Sequence, residues 1–277
     1  MTLCIAAESR RKVILGSDFR GEFGDYTSAE NQNKLEWVEN VWPILIAGTV
    51  ARAHDLVAAI NWEFSSVRAK GEKIDDTNVA ALLRAATRRM KYQVADVITG
   101  GELGISYGAF LKNGKAYLSE KAFDDIESNI RSTDLSCEAI FTFFHDQRPY
   151  IYEIDGKGGV GLVDNFCCIG SGSWLANASL HFREHEYDQT LRTSVYQVFE
   201  AHQLATRAPG VGEKFAISVF HQERNGTIVW ERLEEAGARS LARSFTLLGP
   251  KKIRGLKLDI KKHLKEFNVD TPPGRDE

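Results

Sequence analysis

Thr2, directly behind Met1, is the residue whose chemistry most depends on its surroundings. With Met1 removed, one residue carries both a hydroxyl nucleophile and a free α-amino group. An α-amine titrates at about 7.7 to 8.0, so near neutrality it can take the hydroxyl proton and serve as the base. Threonine is small enough at the second position to make Met1 a substrate for a methionine aminopeptidase. Many soluble proteins begin Met-Thr without consequence, so the case rests on what lies downstream. Asp18 follows sixteen residues on, Lys34 thirty-two and Gly48 forty-six. Asp18 closes an apolar run at GSD, Lys34 opens NKLEWV, and Gly48 sits in LIAGTVARAHD.

At these separations the chain resembles the proteasome β-subunit family, the threonine peptidases among N-terminal-nucleophile hydrolases. CIGSGS at 168–173 adds a fifth match, similar to the family's strand-to-helix turn, with Gly170, Ser171 and Gly172. The resemblance covers residues 2 to 233. It implies an α+β fold, a four-layer α-β-β-α sandwich, with Thr2, Asp18, Lys34, Gly48 and Ser171 in the catalytic set. It also implies that Gly21, Gln32, Glu36, Ile46, Val50 and His54 line the primary substrate pocket. Ile46 and Val50 there favour an apolar side chain, with Glu36 and His54 altering that preference at the rim. Bacterial proteasome-like subunits, including the Anbu group, are similar in beginning Met-Thr without a propeptide.

Each implied role has a chemical reason. Thr2 Oγ attacks an amide carbonyl while its own amine relays the proton, directly or through water. The Lys34 charge beside Thr2 favours the deprotonated hydroxyl and amine, and Asp18 is the counter-ion that fixes it. Gly48 offers a backbone N–H to the oxyanion, because glycine lets the scissile carbonyl approach closely. Ser171 orients the Thr2 amine. One segment departs from the family pattern. The loop before the last strand pair reads ATRAPGVGEK (205–214), without the acidic residue and serine the family uses to hold the amine and a water. Thr206 or Glu213 would have to substitute, and Pro209, Gly210 and Gly212 suggest a different loop geometry.

Other signals compete. His181-Phe-Arg-Glu-His185 has the H-x-x-E-H pattern of inverted zinc peptidases, yet it is charged, lies near a helix end and has no evident third ligand. Gly156, Gly158 and Gly161 spell G-x-G-x-x-G, but strands follow where dinucleotide binding needs a helix N-terminus, so a hairpin turn is expected. Two further functional readings stay open: a structural subunit that kept the fold and lost the chemistry, and an amidase acting on a small molecule.

Composition sets the outer bounds. The 277 residues are 43% hydrophobic, enough for a full core, and a net charge of −3 gives no reason to expect nucleic acid as a partner. No apolar run approaches the roughly 18 residues of a membrane span, and no secretion signal opens the chain. A cytoplasmic protein is therefore expected, acting without cofactor or metal on peptides or unfolded protein. The resemblance implies a homo-oligomeric ring or spiral and leaves any ATPase partner open. Cys4, Cys137, Cys167 and Cys168 lie in apolar runs and read as buried thiols.

The elements that must position these residues follow from periodicity. Strands are expected at 2–8, 11–17, 34–39 and 42–47, then helices at Thr49–Lys70 and Asp76–Val97, the second stopped by Gly100-Gly101. A hairpin turning at Asn113-Gly114 is expected over 104–119, followed by a polar stretch at 120–134. Strands at 137–145, 149–155 and 160–169, helices at 173–184 and 188–206, and strands at 214–222 and 227–233 complete a domain spanning 1–233. Residues 234–277 read as an extension with a basic stretch (Lys251, Lys252, Arg254, Lys257), a short helix near Leu258–Phe267 and a polar tail.

Overall fold

A computed structural model of the chain describes residues 2–23, 27–30 and 32–250. The expected basic stretch and helix at 258–267 lie outside them. The chain opens with β1 (Cys4–Ser9) and β2 (Lys12–Asp18), joined by a tight turn at Arg10-Arg11. A short hairpin of β3 (Arg20–Phe23) and β4 (Thr27–Glu30) follows, then β5 (Leu35–Val38) and β6 (Trp42–Gly48). Next come the helices α1 (Val50–Ala69), α2 (Val79–Leu103), α3 (Tyr107–Tyr117) and α4 (Glu120–Ser132). Strands β7 (Cys137–His145), β8 (Arg148–Ile154), β9 (Val160–Val163) and β10 (Phe166–Ile169) lead to α5 (Ser173–Phe182) and α6 (Leu191–Ala205). Finally β11 (Phe215–Gln222) and β12 (Ile228–Arg232) turn at Asn225-Gly226 and run into α7 (Glu235–Leu248).

The strands form two five-stranded antiparallel sheets, ordered β10-β1-β2-β11-β12 and β5-β6-β7-β8-β9. Alternation along each strand supplies both faces with apolar residues. Cys4, Ala6, Val13 and Leu15 of the first sheet cluster with Leu45, Ala47, Ile140 and Phe144 of the second. The opposite face of the first sheet, with Ile5 and Ile14, packs under Leu180, Val198 and Ala201 of α5 and α6. The opposite face of the second, with Ile44 and Phe141, packs under Leu56, Phe64 and Leu83 of α1 and α2.

Four expectations are corrected. The segment 104–119 is no hairpin: Ser106 caps α3 by accepting the Ala109 N–H at 3.2 Å, and Gly114 is buried because the Phe110 and Phe123 rings press on it. The Asn-Gly pair thus serves close helix packing. The polar stretch after it is α4, capped by Ser119 and holding Phe123 and Ile126 on its one buried face. Gly100-Gly101 does not stop α2, which runs on to Leu103. The strand expected over 160–169 is two strands in different sheets. The break falls at Asn165, left-handed at φ 65°, whose carbonyl accepts the Glu8 N–H at 2.7 Å. A helix the sequence did not suggest, α7, lays Leu241 and Phe245 against the α5–α6 side of the core. None of its residues is fully buried.

Candidate active site

The two sheets bring strand ends together. Thr2 leads into β1, Asp18 ends β2 beside it, Lys34 precedes β5, Gly48 ends β6, and Ser171 follows β10 in the turn into α5. Asp18 is fully buried and accepts from four donors. Its Oδ1 takes the Thr2 hydroxyl at 3.0 Å, the Leu3 N–H at 3.0 Å and the Lys34 ammonium. Its Oδ2 takes the Gly212 N–H at 2.7 Å. Because Thr2 and Lys34 bond the same oxygen, hydroxyl and ammonium are neighbours, and both side chains are buried. Such a pair is worthwhile in a core only when its remaining hydrogen bonds are satisfied, as they are at this carboxylate.

The Thr2 nitrogen lies 3.3 Å from Ser171 Oγ. With Met1 attached it is a peptide nitrogen and stands in for the α-amine that Met1 removal would free. The turn carrying Ser171 is anchored to Thr2 itself. Gly170, at φ 88°, passes so close that a β-carbon there would sit 2.4 Å from the Thr2 carbonyl oxygen. Gly48 is at φ 113°, and a β-carbon there would meet Ser136 O at 2.5 Å. Only glycine fits both positions.

These groups open onto a cleft of about 810 Å³. Thr2, Lys34, Gly48 and Ser171 line it, and Asp18 lies buried behind them. All six expected pocket residues line it as well: Gly21, Gln32, Glu36, Ile46, Val50 and His54. Gln32 fills the space a side chain at Gly21 would need, while Ile46, Ala47 and Ala53 form an apolar wall. A further wall, from Asp134, Ser136, Glu138 and Gly156, was missed by the sequence reading. Glu138 crosses between the sheets to accept the Gly170 N–H at 3.0 Å. A lone carboxylate inside the apolar strand CEAIFTFF was the signal for it.

The departing loop 205–214 meets the site differently from expectation. Thr206 turns back to donate to the Gln203 carbonyl at 2.8 Å, and Glu213 is exposed, so neither side chain replaces the missing groups. The loop reaches Asp18 through the Gly212 backbone.

The competing motifs have other fates. His185 lies beyond the end of α5, buried, with its ring nitrogens on Gln197 Oε1 at 2.6 Å and the Glu8 carbonyl at 3.0 Å. Among the described residues no group of three or more His, Cys, Asp or Glu is arranged to hold a metal ion. The glycine motif forms the β8–β9 hairpin turn, in which Asp155 Oδ1 accepts the Lys157 and Gly159 N–H groups at 2.8 Å. All four cysteines are free and buried, and burial pushes Cys4 up to about 12 and Cys137 to about 11. They are poor nucleophiles. No helix among the described residues is long and apolar enough to cross a membrane.

No protein-family model matches the chain. The proteasome subunit beta of Haloferax volcanii is 22% identical over 207 residues, 75% of this chain and 65% of the relative. That of Halorubrum lacusprofundi is 23% identical over 75% of this chain and 65% of its own length, and that of Haloquadratum walsbyi 22% over 69% and 60%. The chain thus spans under two thirds of the relatives it matches. Over these stretches the chain is similar to proteasome β subunits, a likeness that supports a proteasome β-like family.

Proposed function

We propose that the chain is a threonine-type peptidase in which Thr2, freed by removal of Met1, attacks peptide bonds. The observation that carries this reading is the single oxygen, Asp18 Oδ1, on which the Thr2 hydroxyl and the Lys34 ammonium converge. Lys34 stabilises the developing alkoxide, and Asp18 holds Lys34 in place. The free amine, oriented by Ser171, passes the proton to the leaving nitrogen. Gly48 at the cleft wall supplies the oxyanion donor; losing one such donor costs on the order of 100-fold in rate. The apolar wall at Ile46 and Ala53 favours cleavage after apolar residues, with Gly21, Gln32, Glu36, Val50 and His54 shaping the rest of the pocket.

Three features of the wider molecule belong to the same reading. The two sheets and their helices form a four-layer α-β-β-α sandwich, supported by the three apolar clusters. Residues 1–233 are the hydrolase domain and 234–277 an extension. Copies assemble into a cytoplasmic homo-oligomer, as the family likeness suggests. The test is an intact mass followed by a fluorogenic peptide panel. Loss of one methionine, with cleavage that disappears in Thr2→Ala, supports the reading. Retained Met1 and no Thr2-dependent cleavage would leave a structural subunit as the better account.

A further inference from the structure

One buried titratable side chain beside this site takes no part in the chemistry above. His202 lies on α6, fully buried, with its ring stacked on Phe215 at a centroid distance of 3.9 Å and an interplanar angle of 12°. Its Nδ1 faces the amide nitrogen of Gln203 at 3.2 Å. That nitrogen can only donate, so Nδ1 accepts and the ring proton sits on Nε2. Nε2 in turn donates to the Gly212 carbonyl at 2.9 Å. Burial lowers the His202 pKa to about 4; the Gly212 bond and the Asp18 charge pull upward and Lys34 pulls down, so the ring is neutral at neutral pH.

Gly212 has no side chain, and its two backbone groups are held from opposite sides. Its carbonyl is held by His202 and its N–H by Asp18 Oδ2. We infer that His202 is a positioning residue for the threonine site, acting through Gly212 to set the plane of the Asp18 carboxylate. The inference rests on the peptidase reading above for its consequence, though not for its geometry. Asp18 Oδ1 carries three donors that include both reacting neighbours, and a carboxylate with only one oxygen held can rotate about its Cβ–Cγ bond. Gly212 on Oδ2 stops that rotation, and His202 keeps Gly212 where its N–H can do so. A histidine in the apolar face of α6 thereby supplies from the scaffold what the loop lacks in side chains.

The test separates packing from hydrogen bonding. His202→Phe keeps an aromatic ring on the stack, one atom larger, but removes the donor, whereas His202→Gln keeps an N–H at the Nε2 position. His202→Phe should lower kcat for a peptide substrate about tenfold, since displacement of a catalytic group by a fraction of an ångström has effects of that order. KM should stay within twofold, deuterium uptake at 206–214 should rise, and His202→Gln should recover most of both. Wild-type kcat and uptake in His202→Phe, or an equal loss in His202→Gln, would overturn the inference. If circular dichroism shows that His202→Phe does not fold, Gln203→Leu, which frees the ring tautomer, carries the test. A roughly threefold loss of kcat with raised uptake is expected, and no change in either overturns it. If the wild type hydrolyses no peptide, the peptidase reading falls, and uptake in the three variants decides the positioning role by itself.

Discussion

Asp18 concentrates both the chemistry and the stability risk at the residue scale. Asp18→Ala leaves Lys34, 7% exposed, without its counter-ion. Breaking a buried pair from one side should cost about 3–5 kcal/mol in urea unfolding. Asp18→Leu combined with Lys34→Met should restore only part of that stability: the apolar pair needs no desolvation, but the Leu3 and Gly212 N–H groups lose their acceptor. It should remain without hydrolysis, which separates the pair's role in catalysis from its role in folding. His202 yields a pH prediction. Its folded pKa of about 4 lies below the ordinary 6.5, so between these values the unfolded chain binds a proton that the folded chain refuses. Stability therefore rises with pH across that window and is lost as pH falls from 6.5 towards 4, by about 3 kcal/mol in full. Glu8 opposes this: burial lifts it to about 7, against Arg148, so its contribution is lost as pH rises through 7. The comparison must therefore be a difference. His202→Gln should lose less stability than the wild type between pH 7 and pH 5 in urea titrations.

Turns carry the site at the scale of elements. The β10–α5 turn is threaded against Thr2, so Gly170→Ala forces either a strained left-handed alanine or a shift of the Thr2 carbonyl. We expect a loss of hydrolysis of about 100-fold, the effect of a misplacement near 1 Å, with the circular dichroism spectrum unchanged. The α3–α4 pair behaves as a separate small unit. Its core of Phe110, Phe123 and Ile126 is distinct from the clusters that hold the sheets, and Phe110 stacks on Phe123 at 4.8 Å. Phe110→Ala removes about 3–5 kcal/mol of packing, and deuterium uptake should rise over 107–132 while β1 and β2 stay protected. These helices were hidden in the sequence for a physical reason. In α3, Asn113-Gly114 imitates a hairpin turn, and α4 sets its large apolar residues Phe123, Ile126 and Ile130 in an otherwise mostly polar segment that reads as a loop. The strands of the sheets were legible because each buries alternate residues on two apolar faces.

For the whole molecule, the proposed assembly predicts a mass of many subunits in multi-angle light scattering at micromolar concentration. A monomer there would count against it. The sequence by itself determined the residue types and their spacing: a threonine able to carry its own base, an aspartate and a lysine at strand ends, and glycines where chain must pass close to chain. It also determined most strands and the long helices, since periodic burial is a local property of the chain. Only the tertiary structure decided that Thr2, Leu3, Lys34 and Gly212 converge on one carboxylate. The same holds for Glu138, which bridges the sheets to Gly170, and for the turn at Asn165, which splits one apolar run between two sheets. Those are contacts across 15 to 194 positions of chain, and no local pattern encodes which strand end faces which. Packing of the two sheets on a common core makes that choice.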